Sequence, residues 1–162
     1  MSQDPLYRPH LGARMLAGLI DYVVVFGACI IFVKLFGKVD EQGKHHFSDT
    51  PVIMSLLFWA LWTVGAEQIL GATWGNRLLG LKPVTLEDPL VKPALQQSFK
   101  RHLLDMVDMS LLGPVSMLMV LFGKDHQRLG DIWAGTIVVK AEVQQVLKNM
   151  KAGIEADRPK RV

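Results

Sequence analysis

The chain has 162 residues, 50% of them hydrophobic, with a mean hydropathy of +0.25 and a net charge of +3. The length allows one domain, and apolar residues gathered into runs point to membrane spans instead of a single water-soluble core. The mild basic excess suits loop Lys and Arg beside anionic headgroups and, with no basic helix or aromatic-interleaved basic sheet, argues against a nucleic-acid partner. Cys29 stands alone, so an internal disulfide and a cysteine zinc site are excluded.

A membrane-spanning helix needs about 20 apolar residues. Residues 1–12 are polar and short, and the first apolar run, 15–36, is too long for a signal-peptide core and contains Asp21. It is read as a retained anchor. The loop 37–50 follows, polar and mixed in charge. Its His45-His46 pair, flanked by Asp40, Glu41 and Asp49, suggests a metal site only weakly, because adjacent histidines diverge and no rigid frame holds them; it is read as a solvated loop. A second apolar run covers 52–70, with Glu67 near its end.

The stretch 71–92 is punctuated by glycine and proline, and 78–85 reads as a short strand ending in the turn-prone Glu87-Asp88-Pro89. Gly75 and Gly80 imitate part of a phosphate loop, but Leu81-Lys82-Pro83 follows where Lys-Ser/Thr is required, so nucleotide binding is rejected. Pro93 opens a helix whose Leu95, Phe99 and Leu103 share one face beside Lys100 and Arg101, an interfacial helix leading into a third apolar run at 103–122. That run carries Asp105 and Asp108 early and Gly113-Pro114 in its middle. Residues 135–140 are β-branched and strand-like, and pairing with 78–85 gives both strands a partner. The tail 141–152 has Val143, Val146, Leu147 and Met150 at helical spacing, with Gly153 as its stop and a basic end at Arg158, Lys160 and Arg161.

The fold class expected is an all-α integral membrane protein with three hydrophobic helical segments and a small cytoplasmic two-stranded β-element. Residues 1–140 form the membrane domain and 141–162 a basic amphipathic tail. Basic residues place the N-terminus and the 71–101 loop in the cytoplasm. Three full spans would send the eight basic residues after the third run outside. If that run folds back at Gly113-Pro114 as a re-entrant hairpin, every basic cluster stays on one side, and this arrangement is favoured slightly over three spans.

An Asp near mid-membrane costs roughly 2.5–3.5 kcal/mol on insertion scales, so Asp21 needs a donor. Arg14 lies seven residues away, two turns along the same helix face, too far for a tight salt bridge. With antiparallel segments, one cytoplasmic-side layer collects Arg14, Asp21, Glu67, Arg101, Asp105 and Asp108. Such carboxylates bind or exchange protons and cations; the alternative is that the charges lock helices together. Ala13, Ala17 and Gly18 allow close helix approach there. The spacing of Arg14 and Asp21 recurs at Arg101 and Asp108, and Arg77-Leu78 and Arg128-Leu129 each precede a strand-like stretch, a faint internal repeat of the kind transporters use. No catalytic constellation is visible; His10, His102 and His126 read as interfacial. Asp131 at a Gly-Asp turn is read either as a helix cap or as the partner of Arg14 or Arg77.

The stretch 12–21, from Gly12 to Asp21 through Arg14, resembles the opening of the RDD family of membrane proteins, named for one arginine and two aspartates. Residues 71–82 (Gly-Ala-Thr-Trp-Gly-Asn-Arg-Leu-Leu-Gly-Leu-Lys) resemble the family's central glycine-rich loop, and residues 128–139 (Arg-Leu-Gly-Asp-Ile-Trp-Ala-Gly-Thr-Ile-Val-Val) its closing motif. The resemblance covers roughly residues 8–140. It makes Asp131 the second named aspartate, and Arg101 with Asp108 a further Arg/Asp spacing. Asn76 stands where the family usually has Lys. The resemblance implies a small multi-pass membrane protein, with transport of unknown ligands, including cation/proton exchange, proposed for the family, and scaffolding for some members. With no catalytic constellation visible, the expected protein is not an enzyme. It uses no cofactor or metal, sits in the lipid bilayer (the inner membrane if bacterial), and works as a homo-oligomer or with a membrane partner. Its charge-network residues are Arg14, Asp21, Glu67, Arg101, Asp108 and Asp131.

Overall fold

The structure is a computed structural model that describes residues 10–46, 48–107, 120–122 and 126–156. It is mostly helical, and its chain divides into two compact units, Gly12–Leu79 and a second built from residues 80–162 with the N-terminal eleven.

In the first unit, α1 spans Leu11–Phe36. A 26-residue helix rises about 39 Å, enough to cross a hydrocarbon core of about 30 Å. Its buried residues, Arg14, Ala17, Gly18, Asp21, Tyr22 and Val25, recur at helical spacing, whereas Met15, Leu19, Val23, Phe26 and Ile30 face outward. Polar groups inside and apolar ones outside invert the pattern of a soluble helix and suit lipid. After α1 the chain makes a small antiparallel pair, β1 (Lys38–Val39) and β2 (His45–His46), inside the stretch expected to be irregular loop. Asp40 organises the turn. Its Oδ1 accepts the Gln42 and Lys44 amides at 2.9 and 2.8 Å, and its Oδ2 lies 2.6 Å from His46 Nε2.

The second long helix, α2, spans Asp49–Leu70 and is also long and apolar enough to cross a membrane. Asp49 suits its positive N-terminal end, and Pro51 falls in the first turn, where its missing N–H costs little. The helix widens into a π turn at Leu61–Gly65, where the Thr63 hydroxyl donates to the Trp59 carbonyl at 2.7 Å. Gly71, at φ 78°, ends it. Phe32, Phe58, Trp62 and Trp74 form a ladder of ring contacts 5.7 to 6.0 Å apart. A short helix, α3 (Trp74–Leu78), then occupies ground where the strand expected at 78–85 begins; that strand is shorter. Thr73 caps α3, accepting the Asn76 amide at 3.3 Å.

In the second unit, β3 (Leu81–Thr85) pairs antiparallel with β4 (Thr136–Lys140), as the sequence predicts. Val84, Ile137 and Val139 form its buried apolar core. The register centres on Pro83 opposite Val138. Each strand follows a left-handed glycine, Gly80 or Gly135, both at φ 64°. Two reciprocal bonds close the ladder: the Ala141 amide donates to the Gly80 carbonyl and the Leu86 amide to the Gly135 carbonyl, both at 2.9 Å. The pair thus has local two-fold symmetry. Helix α4 (Leu95–Val107) starts at Leu95 instead of Pro93, with the Gln97 side chain accepting the Ala94 amide at 2.9 Å. Short α5 (Leu129–Ala134) crosses it. Helix α6 (Ala141–Ala156) runs through Gly153, which was expected to stop it. The third apolar run is described only at its ends, as the end of α4 and as residues 120–122; the Gly113-Pro114 break lies outside the described residues.

Two predictions follow from these turns. A Cβ at Gly80 or Gly135 meets nothing closer than 4.0 Å, so Gly80→Ala and Gly135→Ala carry only the left-handed penalty, about 1–2 kcal/mol each. Gly130→Ala should destabilise more, because its Cβ would sit 2.7 Å from the Arg101 carbonyl oxygen. Thermal unfolding in detergent ranks the three, and equal losses would contradict the close crossing. At the β1–β2 turn, the His46 hydrogen bond and then the Lys44 amide hold the Asp40 carboxyl below its usual 3.8. A depressed carboxyl contributes stability above its unfolded value and loses it as pH falls through the lower folded value. The Lys44 amide resonance should therefore show an acid transition below pH 3.8 that Asp40→Asn lacks.

Candidate functional site

The first unit buries three charged side chains among its described residues: Arg14 at 3% exposure, Asp21 at 5% and Glu67 at 0%. Helix α1 places Arg14 and Asp21 on one face two turns apart, with Ala17 and Gly18 between them. Asp21 Oδ1 accepts the Gly75 amide at 2.8 Å. That amide belongs to the first turn of α3, whose N–H groups have no intrahelical acceptor, so Asp21 satisfies a donor of a different helix. Only glycine fits there: a Cβ at position 75 would overlap the Ala17 carbonyl oxygen and lie 2.8 Å from Asp21 Oδ2. Of the small residues expected to permit close helix approach, Ala17 does so, and what approaches it is α3.

Glu67 follows the π turn of α2, in a stretch that also buries Thr63, Val64 and Ala66. Asn76 is buried, and its side-chain Oδ1 has no partner among the described residues. A Lys at this position would have brought a cation into the unit. Arg77 is exposed, and its Nη1 donates to the Leu70 carbonyl at 3.2 Å, securing the end of α2.

In the second unit, α4 turns Ser98, Arg101, His102 and Asp105 inward at positions i, i+3, i+4 and i+7. Arg101 Nη1 lies 3.6 Å from Asp131 Oδ1, and Arg128 Nη1 lies 3.5 Å from Asp105 Oδ1. His102 Nδ1 lies 3.2 Å from Asp105 Oδ2. Asp131 Oδ2 accepts the Arg128 amide at 3.2 Å, so the capping role holds, and its ion-pair partner within the unit is Arg101. Asp108, expected in this network, lies outside the described residues; Asp105 and His102 are present in it. The sequence reads His102 as an interfacial histidine. The signal for it was the inward spacing shared with Ser98, Arg101 and Asp105. Gly130 meets the Arg101 carbonyl as Gly75 meets that of Ala17.

Beside the arginine spacing, the glycines of the two units show a parallel of their own. Gly75 and Gly80 correspond to Gly130 and Gly135: a close-approach glycine on a short helix, then a left-handed glycine, then a five-residue strand. Each short helix meets a carbonyl four residues before an aspartate, Ala17 before Asp21 and Arg101 before Asp105, while Asp108 lies outside the described residues. Among the described residues no group of three or more His, Cys, Asp or Glu could hold a metal ion.

Asp21→Ala should destabilise the protein by about 1–3 kcal/mol, because it leaves the buried Gly75 N–H without an acceptor. Asp21→Asn keeps an acceptor oxygen and should cost less. Thermal unfolding of the two variants checks this, and equal losses would contradict the bond.

The chain matches the RDD family over residues 8–135, which takes in α1 through α5 and every charged residue of both buried groups. No curated protein and no solved structure matches it. The glycine-held helix contact at Asp21 and the Arg101–Asp131 pair thus fall within the matched stretch, and the chain belongs to the RDD family of membrane proteins.

Proposed function

We propose that this protein moves protons or small cations across the membrane, with Asp21 and Glu67 as the carboxylates along the path. The observation that carries the reading is that the two membrane-length helices of the first unit bury two carboxylates, Asp21 and Glu67, together with Arg14. Ionisable residues inside such helices mark paths for protons and cations. The unpartnered Asn76 oxygen is an acceptor suited to either. Among the described residues two helices are long and apolar enough to cross a membrane, few with which to enclose a path, so the transporting form is a homo-oligomer.

The protein is multi-pass, lies in the inner membrane if bacterial, and keeps its N-terminus and the 71–101 loop in the cytoplasm, following its Lys and Arg distribution. It is not an enzyme. A second reading, a membrane adaptor or assembly factor, is favoured by one observation: Asp21 already spends an oxygen on the Gly75 amide, which is a packing role.

Cation-driven proton flux in proteoliposomes, under Na⁺, K⁺ and Li⁺ gradients, separates the two. Transport predicts flux in the wild type that falls to background in folded Glu67→Gln and Asp21→Asn. Absence of flux from correctly reconstituted wild type under all three gradients would overturn cation exchange and leave the adaptor.

A further inference from the structure

Helix α6 runs from Ala141 to Ala156 directly out of β4. Its first turn is tied down: Gln144 is buried, and its side chain donates to the Pro89 carbonyl at 3.1 Å. Beyond that turn the helix has an uncovered apolar stripe. Val146, Met150 and Ile154 are 57%, 59% and 66% exposed at i, i+4 and i+8, with Val143 and Leu147 half-buried beside them. Lys148 is exposed away from the stripe and Lys151 at its flank, and Arg158, Lys160 and Arg161 follow in the sequence.

From Lys140 to the end of the chain there are six bases (Lys140, Lys148, Lys151, Arg158, Lys160 and Arg161) against three acids (Glu142, Glu155 and Asp157). An apolar stripe with a basic excess is the composition of a helix that lies in a membrane surface, its apolar side about 5–10 Å deep in the headgroup boundary.

We infer that α6 docks on the anionic leaflet of the bilayer that holds this protein, with Val146, Met150 and Ile154 immersed and Lys151, at the flank of the stripe, paired with headgroup phosphates. A second copy of the chain is the weaker occupant. Three residues offer a small fraction of the roughly 800 Å² per partner that a stable interface buries, and two such helices would set like charges side by side. The stripe is also shorter than the three or four heptads that a coiled coil needs.

The test uses the full chain in nanodiscs, with Cys29→Ser as background and a nitroxide on Met150→Cys, Ile154→Cys or Lys148→Cys. Discs contain phosphatidylcholine alone or in equal mixture with phosphatidylglycerol. Docking predicts that in anionic discs the labels at 150 and 154 are reached by oxygen and shielded from an aqueous nickel chelate, while the label at 148 stays open to the chelate. In phosphatidylcholine alone the shielding at 150 and 154 weakens. Chelate access at both stripe positions in anionic discs would overturn the proposal. Equal shielding in both lipids would overturn its anionic partner, and spin–spin broadening at 150 would assign the face to a second copy.

Discussion

A carboxylate inside an apolar helix has to be given a donor, and much of the first unit is arranged around that requirement. Asp21 meets it with the Gly75 amide, a backbone group that a five-residue helix leaves exposed at its own start. The bond answers two costs together, since a buried carboxylate and a buried N–H each forfeit hydration. It also dictates the sequence around it. Position 75 must lack a side chain, Ala17 must be small, and Thr73 must cap α3 so that its first turn points at α1.

The second unit solves a related problem with side chains. Arg101, Asp131, Arg128, Asp105 and His102 alternate in charge along the crossing of α4 and α5, and Gly130 lets those helices approach as Gly75 does α1 and α3. Buried pairs of this kind add little net stability compared with apolar packing, but removing one partner strands the other. Their arrangement therefore defines how the short helix sits and where the following strand begins. The reciprocal bonds at Gly80 and Gly135 give the two strands equivalent surroundings, which argues for two copies of one structural plan within the chain.

Much of this plan was legible in the sequence. Long apolar runs announce α1 and α2 because spanning length and the absence of breakers leave few other outcomes. The β3–β4 pairing was legible because 135–140 is β-branched, 78–85 ends in the turn-prone Glu87-Asp88-Pro89, and neither has another partner. Boundaries were less so: residues 74–78 form a helix because a Thr cap and the Asp21 contact favour it, and neither is visible as periodicity. Helix α6 passes Gly153, since glycine weakens a helix by only about 1 kcal/mol. The π turn before Glu67 has no signal in local composition. The glycine parallel, Gly75 and Gly80 beside Gly130 and Gly135, was not legible because close contacts and positive φ leave no mark in residue spacing.

In the first unit Asp21 holds the Gly75 amide. Hydrogen exchange at that single amide, followed by NMR in wild type and Asp21→Ala, tests it most directly. Strong protection in the wild type and its loss in the variant is the predicted result. Equal protection in both proteins would mean that another group satisfies the amide, and the role assigned to Asp21 would be wrong.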